Sequence, residues 1–287
     1  MKTVFEVKDL RFKYKKSQVE AVSGISFKVH EGEIFGLLGP SGAGKSTTQK
    51  IMTKLFKHYQ GEILYLGKDL NSYDYSYFED IGVGFELPVH FSKLTGYENM
   101  KFFSELYQKQ ASIDELLKAV GLYEDKDRPV SDYSKGMKMR LNFVRALLNE
   151  PKVLFLDEVT NGLDPKNARI IKDLIKAFKQ KGGTVFLTTH LMNDVEELCD
   201  QVAFIRKGKI VEVATPRELK LKYGKRELRV EYYNNGSTKE EIFPLKRIGE
   251  NEQFLTILKE KQIETIHSGE TTLDDIFIKV TGDKDVS

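Results

Sequence analysis

Gly39-Pro40-Ser41-Gly42-Ala43-Gly44-Lys45-Ser46 is the stretch on which the reading of this chain turns. It fits the pattern G-x-x-x-x-G-K-S/T in full. The apolar run 34–38 precedes it and helical spacing over 45–57 follows it. A strand, a glycine-rich turn and a helix start together make a cradle for an anion. Glycines let successive backbone N–H groups turn inward, and the helix N-terminus adds partial positive charge. The pattern assigns Lys45 to the β- and γ-phosphates of a nucleoside triphosphate and the Ser46 hydroxyl to Mg2+. Gly39, Pro40, Ser41, Gly42, Ala43, Gly44 and Thr47 complete the expected binding loop.

Outward from the loop, short apolar runs alternate with helical patterns. Runs 81–85, 153–156 and 185–187, like 34–38, suit strands buried on both faces of a parallel sheet. Helices are expected over 45–57 and 167–181, which makes the chain α/β. The segments 4–10 and 24–29 alternate instead, as antiparallel strands with one wet face do. Residues 86–148 read as a mostly helical insertion, with 99–107 and 113–120 as its clearest helices. A composition shift after Tyr223 marks a small α+β appendage. It has strands over 226–233 and 240–244, a turn at Asn234-Asn235-Gly236-Ser237, and a helix over 252–261. A capping box at Thr271-Thr272-Leu273-Asp274-Asp275 opens a last helix through Lys279.

Composition narrows the function. The 287 residues carry a formal net charge of only +2, which gives no basic face for nucleic acid. The one cysteine, Cys199, permits no internal disulfide and reads as a packing residue on a helix. No signal peptide is visible, and no stretch approaches the ~20 apolar residues of a membrane helix. The expected setting is cytosolic, with any membrane spans supplied by another polypeptide.

A second cluster supports the loop. Val153-Leu154-Phe155-Leu156-Asp157-Glu158 is an apolar strand ending in two acids, at the edge where open α/β sheets place ligands. Asp157 is suited to hold Mg2+ and Glu158 to polarise a water for attack on the γ-phosphate.

Taken in order, these segments resemble the nucleotide-binding subunit of an ATP-binding cassette (ABC) transporter over residues 3–222. The resemblance implies a P-loop core with an antiparallel β subdomain and a helical subdomain at about 87–150. The nucleotide-binding domain would span 1–223 and an accessory domain 224–287. Tyr133-Ser134-Lys135-Gly136-Met137 resembles the signature sequence LSGGQ, and Asn161-Gly162-Leu163-Asp164 the D-loop with Asp164. Tyr14 stands where an aromatic ring stacks on adenine. His190 matches the switch histidine, which contacts the γ-phosphate and the catalytic carboxylate. The other histidines, His30, His58, His90 and His267, read as ordinary surface or core residues.

Two departures matter. Tyr133, Lys135 and Met137 replace the usual Leu, Gly and Gln of the signature, while Ser134 and Gly136 are kept. Glu86 stands where the Q-loop has glutamine; a carboxylate there can still ligate Mg2+ but adds negative charge beside the phosphates. The resemblance further implies a head-to-tail homodimer or heterodimer, in which Ser134, Lys135, Gly136 and Met137 meet a nucleotide held by the partner chain. It implies an integral membrane permease as second partner, docked near 86–99, with the subunit on the inner face of the cell membrane. The tail Thr272-Leu273-Asp274-Asp275-Ile276-Phe277 is similar to that of ABC-2-type exporter ATPases, which move drugs, antimicrobial peptides or polysaccharides. A soluble assembly ATPase of the same family stands as the alternative.

Overall fold

The computed structural model describes residues 2–282 other than 225, 235 and 270. The chain divides into two units, Met1–Pro216 and Arg217–Ser287.

The first unit holds ten strands. They are β1 (Thr3–Phe12), β2 (Val22–His30), β3 (Ile34–Leu38), β4 (Gln60–Tyr65), β5 (Lys68–Asp69), β6 (Ile81–Gly84), β7 (Val153–Asp157), β8 (Thr184–Thr189), β9 (Gln201–Arg206) and β10 (Lys209–Ala214). Its helices are α1 (Lys45–Met52), α2 (Ser76–Asp80), α3 (Gly96–Ser104), α4 (Ile113–Ala119), α5 (Lys135–Arg145), α6 (Pro165–Gln180) and α7 (Met192–Leu198).

Six strands form one sheet in the order β10-β9-β3-β8-β7-β6. All neighbours are parallel except the edge strand β10, which runs antiparallel to β9. Every residue of β3, β7 and β8 is buried, which is why these strands read as unbroken apolar runs. Their register positions the site. Leu38 lies opposite Thr189 and Asp157 opposite Thr188, so β3, β7 and β8 end at one edge. The glycine-rich loop, Glu158 and His190 follow those three strand ends.

The second sheet of this unit is antiparallel, in the order β2-β1-β4-β5. One core joins the two sheets. Phe5 of β1 meets Phe155 of β7 with ring centroids 5.6 Å apart, and Phe27 of β2 stacks on Phe35 of β3 at 5.2 Å. Aromatic contacts of this kind add about 0.5–1.5 kcal/mol each beyond area burial.

Residues 86–148 are less helical than expected. α3, α4 and α5 are short and separated by irregular chain, tied at Thr95 and Pro129 by an isolated bridge. The helix expected over 45–57 stops at Met52. Lys54 takes a left-handed φ of 58°, and the Thr53 hydroxyl donates back to the Gln49 carbonyl at 2.9 Å, which ends the turn. Cys199 lies just past α7, buried against Gly36, where burial pushes its thiol well above the usual range.

The second unit follows a different boundary from the expected one. The division falls ahead of α8 (Pro216–Tyr223) rather than behind it. The Tyr223 carbonyl at the end of α8 accepts from Lys279 Nζ at 3.2 Å, which ties that helix to α10 (Leu273–Thr281). Strands β11 (Glu227–Asn234), β12 (Ser237–Pro244) and β13 (Gln262–Gly269) form an antiparallel sheet in the order β12-β11-β13. α9 (Glu252–Glu260) packs Phe254 and Ile257 on Val230, Tyr232 and Phe243. The expected turn at 234–237 includes Asn235, which lies outside the described residues. The capping box of the last helix is built by Thr272 with Asp275, one residue after Thr271.

Candidate nucleotide site

The loop geometry follows from its glycines. Gly44 has φ 111° and caps α1, and a Cβ there would stand 2.4 Å from the Ala21 carbonyl. A Cβ on Gly39 would stand 2.2 Å from the Ile205 carbonyl, so neither position admits a side chain. Gly42 has φ 77° with open space where a Cβ would be. The first helical bond of α1 is Thr48 N–H to Gly44 C=O at 2.9 Å. The amides of Lys45, Ser46 and Thr47 therefore precede the ladder and carry no intrahelical partner. Carboxylates are missing from the first turn of α1, so nothing competes there for an anion.

Around that cradle the charged side chains converge. Lys45, Asp157 and Glu158 are all buried, with 6%, 7% and 6% of their surfaces exposed. Lys45 Nζ donates to the Gly39 carbonyl at 2.7 Å and to the Pro40 carbonyl at 3.3 Å, and lies 3.6 Å from Glu158 Oε1. Ser46 Oγ donates to Asp157 Oδ1 at 3.2 Å. Thr188 donates to the same Asp157 oxygen and lies 3.3 Å from Gln49 Oε1. Thr188 thus orients Asp157, with Gln49 beside the Thr188 hydroxyl. Neither was expected, although Gln49 sits one turn beyond Lys45 on the buried face of α1.

Glu158 has a left-handed φ of 52°, uncommon for a residue with a Cβ, and its N–H donates to the Thr188 carbonyl at 2.9 Å. Such backbone costs of order 1–3 kcal/mol and persists where the surroundings dictate it. His190 Nδ1 lies 2.7 Å from Glu158 Oε2, at ion-pair distance. The imidazole is nevertheless off the line of a hydrogen bond, and Oε2 is otherwise a buried oxygen without a donor. A carboxylate held this way has a lone pair to offer a water.

These observations test whether a Mg2+–triphosphate fits. Unpaired loop amides and a buried ammonium suit the phosphates. A hydroxyl and a carboxylate oxygen 3.2 Å apart, Ser46 and Asp157, are the hard oxygen donors Mg2+ prefers. Tyr14 lies beside the loop, with its hydroxyl 2.9 Å from Thr47 Oγ1. Its ring stands edge-on to Phe12 and Phe56 and keeps 41% of its surface exposed.

Other expected residues lie apart. Glu86 follows β6 at the same sheet edge but is exposed and makes no ion pair among the described residues. The signature segment opens α5, where Ser134 Oγ accepts from the Met137 amide at 3.2 Å. No hydrogen bond or ion pair among the described residues joins Ser134, Lys135, Gly136 or Met137 to the loop at 39–46. Gly136 instead faces the D-loop side, where a Cβ would lie 3.4 Å from Asn167 Nδ2. Asp164 caps α6, accepting from the Asn167 amide at 3.0 Å. Tyr133 is a buried anchor whose hydroxyl donates to the Asp125 carbonyl at 2.7 Å, which accounts for its departure from leucine.

Behind the site, α7 is tied to α6 by charge. Asp194 pairs with Lys172 at 2.6 Å and accepts from the Thr160 hydroxyl two residues past Glu158. Lys176 at 2.6 Å and Lys172 at 2.9 Å hold the Glu197 carboxyl down at about 2, against an ordinary value of 4.5. A depressed carboxylate contributes stability that is present above pH 4.5 and lost as the pH falls towards 2. Glu197→Gln is therefore expected to lower the urea midpoint at pH 7, with the gap from wild type closing between pH 4.5 and 2. A gap that does not change with pH would mean that Glu197 acts through packing alone.

Comparison with known proteins gives the same reading. The family described as "ABC transporter" matches residues 22–161. The fluoroquinolones export ATP-binding protein of Mycobacterium tuberculosis is 50% identical over 281 residues, covering 97% of this chain and 93% of that protein. The chain belongs to the ABC transporter ATP-binding proteins. A lantibiotic transport ATP-binding protein of Streptococcus pyogenes is 35% identical over 72% of this chain and 89% of its own. Residues 226–270 match the fluoroquinolone efflux ABC transporter C-terminal domain. Among solved structures, the ATP-binding subunit of an ABC transporter superposes with a TM-score of 0.74 at 25% identity, over 97% of this chain and all of that one. A dimeric ATP-binding cassette with ADP and Pi gives 0.67 at 26% identity, over 74% of this chain and 98% of that one. This ABC ATPase binds and hydrolyses ATP to drive a separate membrane permease. These relatives do not favour the assembly-machine alternative.

Proposed function

We propose that this subunit powers an exporter of amphipathic small molecules or peptides, using two composite ATP sites formed by head-to-tail pairing with a second nucleotide-binding subunit. The observation that carries the catalytic part is the line from buried Lys45 and Glu158 to exposed His190, with Glu158 3.6 Å from Lys45 and 2.7 Å from His190. Support for export comes from relatives named for fluoroquinolone export and lantibiotic transport.

In this reading Tyr14 stacks on adenine, and the free amides of Lys45, Ser46 and Thr47 at the start of α1, with the Lys45 ammonium, take the phosphates. Ser46 and Asp157 would hold Mg2+, and Glu86, which follows β6 at the same sheet edge, would join them. Bound there, Mg2+ would neutralise charge on the β- and γ-phosphate oxygens. Glu158 orients a water and accepts its proton as the water oxygen bonds to the γ-phosphorus and the bond to the ADP oxygen breaks. His190 steadies Glu158 and contacts the γ-phosphate. Ser134 and Gly136 of the second subunit supply a hydroxyl and an amide to the same γ-phosphate, while Lys135 and Met137 line it and Asp164 shapes the facing loop. The exposed apolar side chains Leu87, Val89 and Phe91 suit the permease contact.

No helix among the described residues is long and apolar enough to cross a membrane. The subunit then sits on the inner face of the cell membrane, held by its permease. The unit Met1–Pro216 carries the nucleotide, and Arg217–Ser287 acts as an accessory domain that steadies the pair of subunits. Affinity purification from detergent-solubilised membranes tests this: a polytopic membrane protein should copurify and raise the ATPase rate. Recovery of soluble partners alone would overturn it.

A further inference from the structure

Two side chains that depart from the family pattern, Glu86 and Lys135, make no ion pair among the described residues. Lys135 is the first residue of α5, exposed, with no acidic partner among the described residues. Its ammonium end lies over Gly162, where a Cβ would stand 2.6 Å from Nζ and 3.5 Å from Cε, and Gly162 has φ 71°. The first turn of α5 contains no acid. A cation there faces the positive end of the helix, so helix stability does not account for Lys135. Glu86 has the opposite problem. It lies two residues past β6, whose Gly84 is opposite Leu156, so it stands at the sheet edge where Asp157 and Glu158 emerge. A third carboxylate beside a triphosphate repels the substrate unless a cation offsets it.

We propose that Lys135 of one copy pairs electrostatically with Glu86 of the partner subunit across each ATP site. This rests on the composite-site reading above, and it makes that site the work of two copies of this chain. Replacing both Gln and Gly by Glu and Lys leaves the net charge of the composite site unchanged. Within each site the cation stands on the signature side and the anion on the loop side, so the pair forms only when the dimer closes. Both groups lose water on closure, so their attraction is less screened than that of an exposed pair, at the cost of desolvating each charge. Lys135 would therefore act as a closure sensor that a glycine signature lacks.

The test is a double-mutant cycle on the full chain: wild type, Lys135→Gly, Glu86→Gln and the double variant, each assayed for kcat/KM with ATP at two ionic strengths. Lys135→Met serves as a second variant that keeps an unbranched side chain without the charge. Lys135→Gly and Lys135→Met should each lower kcat/KM about tenfold, and Glu86→Gln in either background should restore it to within about threefold of wild type. The coupling should weaken at high salt. Effects that simply multiply, or Lys135 variants with unchanged kinetics, would overturn the pairing. A separate arm uses Glu158→Gln and asks whether ATP dimerises the chain by light scattering. If it does and the cycle shows no coupling, only the pairing fails; if ATP leaves it monomeric, the composite-site reading fails with it.

Discussion

Glu158→Gln is expected to slow steady-state ATP hydrolysis by roughly 10²–10⁴-fold while leaving ATP binding near the wild-type level. The substitution keeps the shape of the side chain and the left-handed backbone at φ 52°, so the loop that carries it should hold. What it removes is the negative charge that accepts the water's proton. The orphaned buried oxygen Oε2 shows why the effect should be large: in the single chain it has only an off-line imidazole at 2.7 Å. An amide there presents either a poor base or an N–H aimed at the water. Binding should survive because the loop amides, Lys45, Ser46 and Tyr14 are untouched, and loss of a buried charge next to Lys45 takes repulsion away from the γ-phosphate. Single-turnover hydrolysis and equilibrium binding of a fluorescent ATP analogue separate the two quantities. Near-normal turnover would remove Glu158 from its role, and lost binding would recast it as a structural residue.

The sheet edge that gathers the candidate nucleotide site was legible in the sequence because each of its segments carries a local signal. A glycine-rich loop between an apolar run and a helix has one reading, and β7 announced Asp157 and Glu158 by ending its fully buried run in two acids. Other features are tertiary and left little local trace. β9 and β10 form a hairpin through Lys207 and Gly208, both with positive φ, yet Lys207 carries no turn signal of its own. β4 begins with three exposed residues and buries only Ile63 and Tyr65, so its apolar run, 63–66, is too short to set it apart. β13 is polar and mostly exposed, and is recognisable as a strand only by its pairing with β11. The helical insertion was overread because polar, well-capped sequence such as Thr95–Glu98 predicts a helix start but not how soon the helix ends. The strain at Glu158 and the role of Thr188 depend on β7 and β8 lying in register, which no single segment contains.

Lys45→Ala should abolish tight ATP binding, by roughly 10²–10³-fold, a larger loss than any neutral hydrogen bond accounts for. The ammonium is 6% exposed and bonded to the Gly39 and Pro40 carbonyls, so it is already desolvated and in place before a phosphate arrives. Little rotamer entropy or dehydration remains to be spent on binding, and nearly all of its attraction for the β- and γ-phosphates should appear in the affinity. The same burial has a second consequence. Removing Lys45 leaves Glu158 as a buried acid without its lysine partner, and Glu158 then opposes the triphosphate directly. Lys45→Ala should therefore lose affinity and some thermal stability together, whereas Lys45→Ala combined with Glu158→Gln should regain part of both. Calorimetric titration with ATP, paired with thermal melts of the same proteins, checks the result. An affinity that Lys45→Ala does not change would mean that the loop from Gly39 to Ser46 is not where the phosphates bind.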